Sequence, residues 1–169
     1  MIKQMVMAAA LLASSTVAHA TQDDNVITLL SATNQEGNTL DLIVTGDTNS
    51  LVLEQSAAMG LGQGNLMEIT ITGNNNGGAI GSAFSGITLD SGLEPGHLQQ
   101  TGAGNSMQID IQGSDNLFAA RQDGQGNSLT ATIQGFDNQA AILQVGQNNH
   151  ASISQMGNGN AISISQRSF

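Results

Sequence analysis

Asparagine recurs every 11 residues through the second half of the chain, at Asn105, Asn116, Asn127, Asn138, Asn149 and Asn160, without a break. A period this short and this regular means that each unit is one small structural element that buries its apolar side only by stacking on its neighbours. The same unit runs upstream with interruptions, at Asn25, Asn38, Asn49, Asn65 and Asn76, spaced 13, 11, 16 and 11, then 29 to Asn105. Relative to 11, those gaps contain insertions of 2, 5 and 18 residues.

Other positions keep phase with the Asn. The residues two and four after it are apolar in nearly every unit: Leu40 and Leu42, Leu51 and Leu53, Met67 and Ile69, Met107 and Ile109, Ala151 and Ile153. Gly78 breaks this rule after Asn76. The sixth position is aliphatic at Val44, Ile71, Ile111 and Ile133, and Gln at Gln55, Gln122, Gln144, Gln155 and Gln166. Strict alternation predicts a strand in each unit, with Asn149, Ala151, Ile153 and Gln155 on one face and His150, Ser152 and Ser154 on the other. Gly-containing links such as Met156-Gly157-Asn158-Gly159 predict turns. Aliphatic and Gln units alternate, so the full repeat is about 22 residues, two strands and two turns; only the pair beginning at Asn149 carries Gln on both strands. The expected fold is all-β, a flattened β-solenoid of about five two-strand coils. At a strand spacing of ~4.8 Å, five coils span roughly 24 Å.

The period decides what the composition means. Sixteen Asn, 17 Gln and 21 Gly are nearly a third of 169 residues, and only 16 residues are charged. Scattered amides would fit a disordered tract. Amides in phase on the inward face fit a ladder, in which stacked identical side chains hydrogen-bond to one another as in cross-β structure. The expected inward ladder and assembly residues are Asn105, Asn116, Gln122, Asn127, Asn138, Gln144, Asn149, Gln155, Asn160 and Gln166. Three basic residues leave nothing to neutralise a phosphate backbone, so nucleic acid is not an expected partner. Zero Cys removes disulfides, thiolate metal sites and a Cys nucleophile.

Residues 1–20 read as an export signal, with Lys3, an apolar run from Met5 to Ala13 and the small residues Ala18 and Ala20 before the cleavage point. Two basic and 13 acidic residues then remain, a net charge of −11. No later segment approaches the ~18–20 apolar residues of a membrane helix. The organisation expected is residues 1–20 as signal, 21–37 as an N-terminal segment with a partial repeat strand, 38–104 as irregular repeats, and 105–169 as regular ones. Gly78-Ala79-Ile80-Gly81-Ser82 continues a unit and Leu98-Gln99-Gln100 mimics the end of one, so the pattern is open to a large insertion at 83–100, to a loop between those two stretches, and to an extra coil over 77–104.

The repeats resemble those of the curlins, subunits of bacterial curli fibres. The family pattern places Gln, then Gly two on, Asn three later, a small apolar residue two further, and Gln after that. Gln144-Val-Gly146-Gln-Asn-Asn149-His-Ala151-Ser-Ile-Ser-Gln155 matches it throughout, and Gln155 to Gln166 differs only in Ile162. Gln122 to Asn127 and Gln100 to Asn105 match its first half. The resemblance implies an amyloid-forming, cross-β subunit of an extracellular fibre with roles in cell adhesion and biofilm. It also implies self-association, a nucleator subunit, an outer-membrane secretion channel and chaperones. A minor, nucleating subunit and a monomeric surface β-solenoid that binds a partner through its insertion are the alternatives. Such minor subunits are thought of as richer in basic residues, and Arg121 and Arg167 alone follow the signal.

No enzyme is expected. His97 lies near Asp90, Ser91 and Glu94 in sequence, which is weak evidence for a Ser/His/acid group. Gly124-Gln-Gly126 and its equivalents are turns, with no Lys to hold phosphate. Asp115 and Asp137 fall one per coil, without the dense Gly-Asp repeat of calcium-binding solenoids. No cofactor or metal is expected. Asp47, Glu54, Glu68, Asp110, Asp115, Asp123 and Asp137 fall on outward positions or turns, where they could restrain premature assembly.

Overall fold

The computed structural model describes residues 6–10, 15–21, 24–31, 37–57, 63–78, 82–87 and 92–169. Among them the chain is all-β and without a helix. One sheet contains β1 (Val6–Ala10), β3 (Val26–Ser31), β5 (Ser50–Ala57), β7 (His97–Ala103), β9 (Leu117–Gln125), β11 (Gln139–Gln147) and β13 (Ala161–Arg167), in that order. The second contains β2 (Ser15–Thr21), β4 (Thr39–Thr45), β6 (Leu66–Thr72), β8 (Ser106–Ser114), β10 (Ser128–Phe136) and β12 (His150–Met156). All neighbouring strands are parallel. The chain alternates between sheets, each strand lying beside the one a full coil earlier, so it is a flattened β-solenoid. The segment read as an export signal supplies β1 and nearly all of β2.

Register follows the repeat. Leu129 pairs with Met107 and Ala151, each 22 residues away, and Ile133 with Ile111 and Gln155. Burial alternates along each strand, as in β4, where Leu40, Leu42 and Val44 are buried and Asp41 and Ile43 exposed. A one-residue slip would exchange those two sets, which is why the register is strongly specified. The core is a single thin layer from Ile27 and Leu29 to Ala151 and Ile153. Its one aromatic ring among the described residues, Phe118, stacks between Gly96 and Ala140, so a large residue occupies space its small neighbours leave.

Turns stack as closely as strands do. Gly113 and Gly135 have φ of 128° and 125°, a region that penalises any side chain. A Cβ on Gly113 would also run into the carbonyl oxygen of Gly135, and one on Gly135 into that of Gly157. At Gly46, Gly73, Gly102, Gly113, Gly124, Gly135 and Gly146 the Gly three residues before the Asn is therefore required twice over, by its own backbone and by the next coil.

The 18-residue insertion lies at residues 78–95, not 83–100. Gly77 bridges Leu117, its N donating to Asn116 O at 2.9 Å. The next rung is Gly96, whose N donates to Phe118 O at 2.7 Å and whose O accepts from Val52 N at 2.8 Å. Gly77 and Gly96 thus fill consecutive ladder positions, and the chain leaves the sheet between them and returns in register. Position two after Asn76 is Gly96 rather than Gly78, and Leu98, Gln99 and Gln100 belong to β7. The stretch from 77 to 104 supplies one strand of an ordinary coil together with an excursion, and its described residues form no extra coil. Five coils, β4–β5 to β12–β13, follow β3.

Candidate functional site

The inward amides form three ladders along the solenoid. Asn25, Asn49, Asn76, Asn116, Asn138 and Asn160 precede the strands of the first sheet. In each step the later Nδ2 donates to the earlier Oδ1, at 3.0, 3.1, 3.0, 3.1 and 3.0 Å. The later backbone N donates to the same oxygen at 2.9–3.2 Å. Asn38, Asn65, Asn105, Asn127 and Asn149 repeat this before the second sheet, at 3.3, 2.9, 3.0 and 2.9 Å. The remaining Nδ2 proton holds the next turn, as where Asn116 donates to Gly135 O at 3.0 Å and Asn127 to Gly146 O at 3.1 Å. These bonds to glycine carbonyls go beyond the sequence reading, although the fixed Gly-to-Asn spacing is their signature.

The Gln ladder runs the other way. Gln55, Gln100, Gln122 and Gln144 each donate from Nε2 to the Oε1 of the next Gln, ending at Gln166, at 2.9, 2.8, 2.8 and 2.8 Å. Their second Nε2 proton crosses to the facing strand, as from Gln122 to Ser106 O at 2.9 Å; Gln166 makes the same bond to His150 O at 2.9 Å. Gln100, absent from the expected ladder set, is a full rung, because the excursion comes before it. Within the ladders, Asn thus donates toward earlier coils and Gln toward later ones, so the two ends of the solenoid are chemically different.

At the C-terminal end, Asn149 and Asn160 have their Nδ2 groups engaged, while no described residue donates to either Oδ1. Asn160 is exposed although it points inward, since no coil covers it. Gln166 holds Gln144 below it and has no further Gln above it. Gln155 differs from the rest. It stands over Ile133, donates to Gln139 O at 3.3 Å, and its buried Oε1 has no partner among the described residues. It is the first Gln of a new column, placed on the last strand of its sheet. The edges of β12 and β13 are both unpaired by any described strand, and such edges template further pairing.

The acids face outward or sit in turns. Glu54 accepts from Gln99 Nε2 at 2.9 Å and lies 3.5 Å from His97 Nε2. Asp123 pairs with Arg121 at 3.1 Å, and Asp115 accepts from Asn75 Nδ2 at 2.6 Å. His97 begins β7 and its N bonds Glu94 O at 3.1 Å; Asp90 and Ser91 lie outside the described residues. Among the described residues no three His, Cys, Asp or Glu gather as a metal site, and no helix is long and apolar enough to cross a membrane.

The family model of the curlin associated repeat matches the chain twice, over residues 124–157 and 135–167. No curated protein and no solved structure matches it. Both matched segments fall where the Asn ladders, the Gln rungs and the stacked glycine turns are most regular, and over residues 124–167 the chain carries the curlin associated repeat.

Proposed function

We propose that the chain is a structural subunit of extracellular curli-type amyloid fibres, polymerising head to tail for cell adhesion and biofilm matrix. The observation that carries this reading is the polarity of the ladders. The two Asn ladders stop at the C-terminal edge with acceptors that no described residue fills. Asn160 and Asn149 offer Oδ1 acceptors of the kind that takes a later Asn at every internal step. Repetition of one heterologous contact gives an open filament. The expected inward set from Asn105 to Gln166 would then serve both folding and assembly.

In this reading residues 1–20 are removed during export. Cleavage after Ala20 would cut β2 and leave β3 and β4 as the N-terminal edges. A secretion channel, chaperones and a nucleator subunit are the partners implied by family, and no catalytic role is assigned.

Gln155 favours a second reading, a minor or copolymerising subunit. The column Val44, Ile71, Ile111 and Ile133 is aliphatic until Gln155, so another copy of this chain would set Val44 above it. A chain with inward Gln on both strands of its first coil would complete that rung instead.

Residues 21–169, purified and left in neutral buffer, are expected to form dye-binding fibres with a ~4.7 Å meridional reflection. A protein that stays monomeric for days would overturn the fibre reading. Poor self-assembly, combined with loss of the lag when traces are added to another curlin, would select the minor subunit.

A further inference from the structure

Three outward residues of the first sheet are buried where outward residues of the second are not. Ala119, Ala141 and Leu143 have relative exposures of 0, 0 and 6%. They alternate with the core residues Phe118, Ala120, Ala140 and Ile142, so they point away from the core. The equivalent residues of the second sheet, Gln108, Asp110, Thr130 and Thr132, are exposed or half-exposed.

The described residues 82–87 of the excursion are tied to this side of the first sheet. Ser85 N donates to Gln139 Oε1 at 2.7 Å, and Gln139 Nε2 donates back to Ser85 Oγ at 2.9 Å. This anchors the 82–87 segment at the start of β11, two coils beyond the point where the excursion leaves β7's place in the sheet. At its base, Gly78 lies so close to Pro95, Ser82 and Leu117 that an added Cβ would sit 2.5, 3.3 and 3.4 Å from their side-chain carbons.

We infer that the excursion is an intramolecular shield that keeps filaments of this chain from pairing face to face. Apolar sheet faces stack at ~10 Å with dry, interdigitated side chains. Ala119, Ala141 and Leu143 form such a patch on the first sheet, with Glu54, His97 and Arg121 beside it, whereas the second carries Asp41, Glu68 and Asp110 across its outer surface. The second face is thus guarded by charge, and the apolar patch of the first by a loop. In a head-to-tail filament each copy contributes one such ridge every five or so coils, roughly 24 Å, and a ridge at that spacing holds a second sheet beyond contact distance. The inference rests on the fibre reading.

The test uses the fibre-forming chain itself. Removing residues 78–95 joins Gly77 to Gly96, which already occupy consecutive rungs, and shortens the interval from Asn76 to Asn105 to the regular 11. Filaments of this variant are expected to keep the meridional reflection, to double in width by electron microscopy and to gain a ~10 Å equatorial reflection. Leu143→Lys in the same background is expected to restore single filaments. Single filaments from the deletion, or paired ones that Leu143→Lys does not separate, would overturn the inference. Gln139→Ala in the full-length excursion covers the case in which the deletion does not fold. Losing its bonds to Ser85 is expected to raise chymotryptic cleavage at Phe84 by about fivefold or more. Unchanged cleavage would overturn the anchoring. Absence of fibres from the unaltered chain would instead sink the fibre reading.

Discussion

Replacing Asn127 by Ala tests whether the ladder amides stabilise the solenoid or merely fill it. Asn127 is fully buried. Its Oδ1 accepts from Asn149 N at 3.0 Å and Asn149 Nδ2 at 2.9 Å, and its Nδ2 donates to Asn105 Oδ1 at 3.0 Å and Gly146 O at 3.1 Å. After truncation, Asn149 Nδ2 keeps Val145 O and Asn105 Oδ1 keeps Asn127 N. Asn149 N and Gly146 O lose the partner that Asn127 gave them. Both groups are half-buried, so each costs toward the low end of about 1–3 kcal/mol, and the variant should lose about 2–3 kcal/mol. Urea unfolding of freshly purified chain, before assembly, measures this. With a slope of ~1–3 kcal/mol per molar, the midpoint should fall by about a molar or more. Gln125→Ala, at an exposed position nearby, should stay within about 0.5 kcal/mol. An Asn127→Ala midpoint equal to that of Gln125→Ala would refute the claim that inward amides hold the coils together.

Three further outcomes follow from the same geometry. Gly157→Ala is strained by its own φ of 98° but meets nothing nearer than Asn160 Nδ2 at 3.5 Å within the chain, so it should cost the monomer less than Gly135→Ala, which also abuts the next turn, yet should slow elongation. Equal elongation rates for Gly157→Ala and the unaltered chain would count against turn-on-turn stacking between copies. Gln155→Ala and Asn160→Ala should slow assembly, followed by dye fluorescence, more than Ser152→Ala or Ser154→Ala, since the first pair points inward at the open end and the serines are exposed. Phe118→Ala should cost about 3–5 kcal/mol in thermal or urea unfolding, since Gly96 and Ala140 on either side offer nothing to fill the void.

Much of this architecture is legible in the sequence because a solenoid repeats one local rule. The facing of Asn149, Ala151, Ile153 and Gln155 comes from alternation alone, and the 22-residue register from the alternation of Ile133-type and Gln144-type positions. The sequence leaves the insertion's place open for a physical reason. Gly78-Ala79-Ile80 imitates the small and apolar pattern of a strand, whereas the true rungs, Gly77 and Gly96, have no side chain to reveal their facing. Counting back from Asn105 instead puts Leu98, Gln100 and Gly102 in phase. The opposite directions of the Asn and Gln ladders are hidden because residue type does not say which way an amide turns. That depends on where the backbone carbonyls lie, such as Gly135 O for Asn116 and Ser106 O for Gln122. The burial of Ala119, Ala141 and Leu143 is equally hidden, since it arises from an excursion that begins far away in the chain.

Mass per unit length of the assembled fibre, by dark-field electron microscopy, tests the central claim most directly. If each chain is a solenoid stacked end to end, the five coils from β4 to β13 and the preceding β3 place one chain per roughly 24–29 Å of fibre at ~4.8 Å per coil. If the chain instead unrolls and each copy forms a single layer of in-register strands, the fibre holds one chain per ~4.8 Å, several times the mass per length, and end-to-end stacking of intact solenoids is contradicted.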